Sequence, residues 1–267
     1  MAFNKNEVLL DRVRSLTCHD LEDGHMLLRL TSLEDPSLNT SAEGEEITDA
    51  IGALITTLYR AKKATFSASN SLMSLDLAAA QYGSKKEVGG VIDHTYEIIE
   101  IEDGKVTLAK QPIEGSVKWV YVIDKNEVGA AYDATGAEAT DKQAVVALDG
   151  TITLPTAVDE KGNKVFADGK KVYVEYAYSN ENAVRVVNRA SEFPSAVSVV
   201  IYAYFRDVCN ENTIYSGKII CPKAKLNPES VELALTSTGK HPFEFVINRD
   251  YCAEEGEDEL FEIIISE

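Results

Sequence analysis

Apolar and polar positions alternate with a period of two along most of the second half of the chain. Lys171–Ser179 sets Val172, Val174, Tyr176 and Tyr178 on one side. Ala196–Asp207 sets Val197, Val199, Ile201, Ala203 and Phe205 against Val200, Tyr202 and Tyr204. Tyr215–Leu226, Val231–Thr236, Phe243–Ile247 and Leu260–Ile265 continue the series, with Asn, Gly and Pro between them. Period-two runs of β-branched and aromatic residues bounded by turn residues predict strands, and strands without helices between them predict an antiparallel sandwich or open barrel.

The first third reads differently. Asn4–Arg14 predicts a short strand or helical arm, and Leu16–Arg29 a hairpin turning at Asp23-Gly24. Leu33–Glu46 is rich in Ser, Asn, Glu and Asp, contains Pro36, and predicts a loop. Ile51, Leu54, Ile55, Leu58 and Tyr59 then recur at helical spacing, after a capping Thr48 or Asp49 and before Arg60, Lys62 and Lys63. This predicts a helix over 48–63 whose apolar face packs on the sheet or seats a partner helix. Ala64–Ser69 predicts a strand, and Leu72–Tyr82 a mixed apolar segment of helical character.

From Ile92 to Asn180 short strands alternate with tight turns. Tyr96–Ile101, Lys105–Leu108, Val117–Ile123, Val145–Ala147, Thr151–Leu154 and Val165 onward are the strand segments. Asp103-Gly104, Asp149-Gly150, Lys161-Gly162-Asn163 and Asp168-Gly169 are hairpin signals. The expected architecture is mainly β with one flanking helix (α+β): two packed antiparallel sheets formed by residues 1–91 and 181–267. Residues 92–180 form a β-hairpin-rich insertion, immunoglobulin-like, or an elaboration of the same sheet.

The composition narrows the function. Twenty-six basic against 44 acidic residues give a net charge of −18, which argues against binding nucleic acid by phosphate neutralisation. Such a surface is well solvated and would repel a passing polyanion. Met1–Asp11 has no signal-peptide core, no stretch approaches the ~20 apolar residues of a membrane helix, and synthesis in a cytoplasm is expected. Cys18, Cys209, Cys221 and Cys252 share no CxxC spacing and read as reduced, buried residues. Cys18, His19 and His25 lie close in sequence without the spacing of a zinc site, so no metal is expected. The last 18 residues hold eight acids, clustered in Glu254–Glu259; they read as a solvated loop rather than a calcium loop, whose ligand spacing they lack.

No GxSxG, HExxH, GxxxxGK[ST] or GxGxxG is present, and His19, His25, His94 and His241 are scattered. No catalytic residue and no cofactor is expected. A carbohydrate-active sandwich would show exposed aromatics among polar loops, whereas here the aromatics alternate within strands.

One segment supports a family-level comparison. Ile220-Cys221-Pro222-Lys223-Ala224-Lys225-Leu226 follows Phe193-Pro194, Val199–Phe205 and Arg206-Asp207, and precedes Phe243–Ile247 and a terminal Leu260–Ile265 strand. This order resembles the major tail tube proteins of long-tailed bacteriophages, in which an I-x-P-K-A-K-L segment precedes two core strands and a short terminal strand. The helical segment 48–63 and the strand after it resemble that family's helix-bearing half. The resemblance covers Leu27–Gln81 and Val184–Ile265; Ile92–Asn180 departs from its smallest members. It implies a non-enzymatic virion protein of the phage tail, made in the host bacterial cytoplasm. Its subunits would close into rings, hexameric in the family, that stack into a tube and join other tail proteins. DNA would pass without specific binding, and the chain would insert in no membrane. Glu22, Asp23 and Asp103 are the acids expected to face the lumen. The alternative is a capsid-decorating or host-surface-binding β-sandwich.

Overall fold

The computed structural model describes residues 7–124, 127–208, 212–229, 231–233, 236, 239–249 and 259–266. In chain order the elements are β1 (Val8–His19), β2 (Met26–Leu30), β3 (Leu33–Thr48), β4 (Leu54–Asn70), α1 (Leu75–Tyr82), β5 (Glu87–Val88) and β6 (Val91–Glu100). They continue with β7 (Lys105–Thr107), β8 (Trp119–Asp124), β9 (Glu127–Asp133), β10 (Val145–Val146), β11 (Thr151–Thr153) and β12 (Lys171–Asn180). The last are β13 (Val184–Arg185), β14 (Ala196–Asp207), β15 (Ile214–Leu226), β16 (His241–Ile247) and β17 (Glu262–Ser266). The architecture is mainly β with one short helix and several antiparallel sheets. The chain divides into two compact units: unit 1, Met1–Lys86 with Val186–Glu267, and unit 2, Glu87–Arg185.

Unit 1 is built on one antiparallel sheet in the order β2-β1-β14-β15-β16-β4-β3. Strand β15 serves two neighbours on one side. Ala224–Leu226 pairs with β16, and Ser216–Ile220 pairs with β17. The alternation seen in the sequence is the burial pattern. Val197, Val199, Ile201, Ala203 and Phe205 of β14 point inward, as do Phe243, Phe245 and Ile247 of β16 and Ala64, Phe66 and Ala68 of β4. Full burial of each large side chain contributes about 1.5–3 kcal/mol. Leu77 of α1 joins this core. Ser74 caps the helix, its hydroxyl accepting from Leu77 N at 3.2 Å. Gly83 ends it at φ 68°, with the Phe193 backbone so close that a Cβ there would lie 2.2 Å from a carbonyl oxygen. Only glycine suits both the left-handed conformation and the contact.

The helix expected over 48–63 is not formed. Residues 33–70 are a single long hairpin, β3 against β4, so the loop expected at Leu33–Glu46 is also a strand. Asp49, read as a helix cap, instead closes the hairpin turn: its Oδ1 accepts from Ile51 N at 3.0 Å and Ala53 N at 2.7 Å, and Gly52 follows at φ 84°. The β-branched run Ile55-Thr56-Thr57 favours the extended form. The helix lies instead at 75–82, within the mixed segment Leu72–Tyr82. The strand expected over Val231–Thr236 is absent at 231–233, and its remainder lies partly outside the described residues. Asn4–Arg14 resolves, from residue 8, as part of β1.

Unit 2 packs a four-stranded sheet, β6-β12-β8-β9, on a three-stranded sheet, β10-β11-β7. Val120, Val172 and Val174 of the first meet Val106 and Ile152 of the second in one core. Val165 lies in a turn rather than a strand, and β9 is a strand that the sequence pattern did not mark. The first and last strands of the unit, β5 and β13, pair as a two-stranded ribbon with Val184 opposite Val88 and Arg185 opposite Glu87.

Candidate assembly surface

The feature that stands out on unit 1 is the outer half of the β3–β4 hairpin. Up to Lys63 the strand β4 is exposed on both faces; from Ala64 inward it alternates into the core. The boundary is a bulge: Ser41 pairs with Lys63 but Glu43 pairs with Arg60, and Ala61 adopts φ 48° between them. A bulge bends the strand and increases its twist, so it redirects the hairpin beyond this point. At ~3.3 Å per residue, the outer part of β4 extends about 30 Å.

This arm carries the apolar residues that suggested a helix. Ile51 is 89 % exposed, Tyr59 75 %, Ile55 64 % and Leu54 58 %. The helical spacing distributes them over both faces of an extended strand, since neighbours such as Leu58 and Tyr59 point opposite ways. Across the arm, Lys63 Nζ meets Glu43 Oε1 at 2.7 Å and Arg60 meets Glu45 Oε2 at 3.6 Å. The Glu43 carboxyl is held below its usual range, first by the Lys63 hydrogen bond. The ion pairs bridge the two strands of a ribbon that its own core does not support.

A second part of the surface lies on β1 and β14. Arg12 and Arg14 both sit over the Tyr204 ring, their guanidinium carbons 5.6 and 5.7 Å from its centroid. Arg206 Nε donates to Asp11 Oδ1 at 2.7 Å. Leu9 and Leu10 near the start of β1 and Ile214 at the start of β15 are exposed. A cationic, aromatic strip therefore lies on the sheet of a strongly acidic chain. The described part of the terminal strand adds exposed Ile263 and Ile264 on β17.

The residues singled out in the sequence are dispersed. Cys18 is buried in the core, its thiol pushed up by burial, and Cys221 is buried two strands away; Cys209 and Cys252 lie outside the described residues. His19 is engaged by Thr17 Oγ1 at 3.0 Å and by the Gly24 carbonyl at 3.2 Å. Among the described residues, the donors that converge in this turn are Asp20, Asp23 and His25, all within 4.8 Å of one another, rather than Cys18, His19 and His25. His25 contacts Asp23, which raises the imidazole and lowers the carboxyl. Glu22 and Asp23 are exposed in the β1–β2 turn, and Asp103 is exposed in the turn before β7 at φ 49°. Of the acidic cluster Glu254–Glu259, all but Glu259 lies outside the described residues. No helix among the described residues is long and apolar enough to cross a membrane.

The sequence was compared with known families. A family model, the YomU/Tube protein family, matches residues 8–257, all but the first seven and last ten residues. The chain belongs to the YomU/Tube protein family. The family name marks a phage tube-like structural protein, and the match spans both units, including the segment 92–180 that the tail tube resemblance left uncovered. No curated protein matches the chain. Membership in a YomU/Tube family gives the exposed arm a context in which chains self-associate with each other and with further tail proteins. Helical spacing concealed this arm in the sequence. The signals that could have revealed it were Asp49 and Gly52 three residues apart, the long polar-rich run Leu33–Thr48 before them and the β-branched run Ile55-Thr56-Thr57 after them.

Proposed function

We propose that this YomU/Tube chain is the repeating subunit of a phage tail tube. Rings of identical subunits, hexameric by resemblance to the tail tube proteins, stack into a hollow conduit through which DNA leaves the virion. Unit 1 builds the ring wall, and unit 2 is an insertion carried on it. The carrying observation is the arm: Ile51, Leu54, Ile55 and Tyr59 are exposed on a paired ribbon that, among the described residues, no core covers. Several large apolar side chains exposed together on one ordered ribbon, here on both of its faces, support an interaction site. Heterologous contacts between identical copies close into rings and propagate axially.

Charge assigns the contacts. The arm carries Glu43, Glu45, Glu46 and Asp49 against Arg60, Lys62 and Lys63, with Glu43 and Glu45 already paired to Lys63 and Arg60, so Glu46 and Asp49 toward its tip are the acids proposed to meet Arg12 and Arg14 of the β1–β14 strip. Complementary potentials favour the arm of one copy on the strip of the next. The strip is accordingly placed at a contact rather than in the lumen, where cations would hold DNA in a salt-dependent way. Glu22, Asp23 and Asp103 are the acids proposed to face the lumen and repel the passing duplex. The role involves no catalytic step.

The test is the triple variant Ile51→Asp, Ile55→Asp, Tyr59→Asp, with negative-stain imaging and ultracentrifugation of the concentrated protein. Rings or tubes from the parent chain and folded monomers from the variant are expected. A parent chain that stays monomeric alone and with tail partners, or a variant that assembles normally, overturns the reading. A second reading, a decorating or host-surface-binding module, is favoured only by the separate core of unit 2. Tube assembly that persists after removal of Glu87–Arg185 decides against it.

A further inference from the structure

The solvent face of the four-stranded sheet of unit 2 is unusually aromatic. Each strand there alternates, so the residues opposite the core set Val120, Val172 and Val174 point outward. On β6 this places Tyr96, 61 % exposed, beside Tyr173 of β12; on β8 it places Trp119, 48 % exposed, and Tyr121. The rings are organised among themselves. Tyr96 and Tyr173 stack with centroids 5.3 Å apart and an interplanar angle of 25°, and Tyr121 meets Tyr173 edge-on at 5.9 Å. The Tyr173 hydroxyl donates to Glu175 Oε1 at 2.5 Å, which fixes that carboxylate among the rings. Trp119, Tyr96, Tyr121 and Glu175 line a concavity of about 570 Å³ with His94 and Lys118 at its margin.

Four outward-facing rings on one sheet, Tyr96 and Trp119 exposed and Tyr121 and Tyr173 half-buried, require an explanation beyond solubility, because aromatic side chains supply large apolar surfaces that are otherwise spent in cores. Two features narrow the occupant. The volume lies in the range of small-ligand sites, about 300–1,000 Å³, whereas a stable protein partner buries about 800 Å² on each side. Interface cores are also depleted of charge, yet here a carboxylate stands among the rings with an imidazole and an ammonium nearby. Flat rings and fixed polar groups suit a ligand with one apolar face and a rim of hydroxyls. A pyranose has that shape: its C–H face lies against the negative face of an aromatic ring, and its hydroxyls reach carboxylate, imidazole and ammonium groups.

We infer that this face of unit 2 is a binding site for a neutral pyranose glycan, with Trp119 and Tyr96 as stacking platforms and Glu175 as the acceptor for sugar hydroxyls. The inference goes beyond the tube role and stands whether or not unit 1 assembles. No bond is made or broken. A neutral glycan is proposed because a chain of net charge −18 disfavours the approach of an anionic polysaccharide.

Trp119 is the only tryptophan of the chain, so its emission reports on this site alone. The full chain is titrated with neutral oligosaccharides built on glucose, galactose, mannose and N-acetylglucosamine, and screened on a glycan array. A saturable change in Trp119 emission with at least one sugar is expected. Calorimetry should then show Trp119→Ala and Tyr96→Ser each weakening binding by about tenfold or more, as loss of an anchoring ring does. Tyr96 lies on the edge strand β6, so Tyr96→Ser tests the site even where Trp119→Ala fails to fold. Glu175→Gln should weaken binding while leaving the thermal midpoint in place. No binding to any sugar, or equal binding by Tyr96→Ser, overturns the inference. So does burial of Trp119 on assembly, read as protection from a soluble quencher, which would assign the face to a contact between copies.

Discussion

The two halves of strand β4 lie in one hairpin and have opposite fates. Ala64–Asn70 alternates buried and half-buried residues, with Phe66 tilted against Phe243 at 6.3 Å between centroids. Leu54–Lys63 carries equally apolar residues and buries none. The difference lies in what covers them. The inner half has β16 beside it and the core of unit 1 beneath it, whereas among the described residues the outer half pairs with β3 alone. Hydrophobic pattern therefore reports that a residue will be covered, and leaves open whether its own chain or another one covers it.

The sharpest way to separate the halves is truncation. Phe66→Ala should cost about 3–5 kcal/mol in urea unfolding, as for other large-to-small changes in a packed core. Ile55→Ala, in the arm, should move monomer stability by no more than about 0.5 kcal/mol while weakening assembly. Similar stability losses at the two sites would erase the distinction.

Acid should act next, and first on the inner end. His241 is opposite Asn70 and fully buried, and its Nε2 donates to the Gln81 amide oxygen at 2.7 Å. Nδ1 accepts from Ser74 N at 3.4 Å, so the neutral ring satisfies both contacts and a second proton has no acceptor. Burial lowers its pKa below the usual 6.5. The unfolded chain thus binds the proton more readily than the folded one. Stability is fully present above about pH 6.5 and falls as the pH drops from there toward the lowered value of the folded state. His241→Gln should flatten that slope in unfolding curves recorded across this window, and an unchanged slope would assign it elsewhere.

Smaller effects probe the boundary and the arm. Ala61 holds a left-handed conformation that costs an alanine about 1–2 kcal/mol. Ala61→Gly should relieve part of this and raise stability by up to about 1 kcal/mol, offset by glycine's greater freedom when unfolded. A loss of stability would show that the alanine methyl makes contacts worth more than the strain. Least of all, Glu43→Gln should leave the unfolding midpoint nearly unchanged, because exposed ion pairs contribute little. Its effect belongs to assembly, where it should be larger at low salt.

Much of the fold was legible. The alternation in β14 and β16 named their buried residues, because one face of each strand is buried and the other is not, whereas alternation did not single out the buried Tyr215, Cys221, Ala224 and Leu226 of β15. The hairpin signals from Asp103-Gly104 to Asp168-Gly169 marked the turns of unit 2, although Val165 proved to be in a turn and β9 escaped notice. The arm was illegible for a physical reason. Asp49 satisfies backbone N–H groups equally well at a helix start and in a tight turn, and Ile51, Leu54, Ile55, Leu58 and Tyr59 fit a helical stripe when no sheet core selects period two. Leu33–Glu46 read as a loop because a ribbon exposed on both sides has no need of apolar residues. The aromatic face of unit 2 was hidden likewise. The alternation in Lys171–Ser179 put Tyr173 opposite Val172, Val174 and Tyr176, but that Tyr96 and Tyr121 join it on one face depends on strand pairings that a single sequence does not show.

The ribbon of β5 and β13 has a consequence for how such a protein changes over time. Val88 and Val184 are paired neighbours, so the two points where the chain enters and leaves unit 2 are separated by one strand spacing, ~5 Å. A tight turn could bridge that gap. All of Glu87–Arg185 can therefore be lost, exchanged or replaced by a foreign module in a single genetic step that leaves the register of every strand in unit 1 untouched. Recombination could exchange unit 2 while preserving the sheet of unit 1, and the same junction is a natural place to graft a reporter or an antigen.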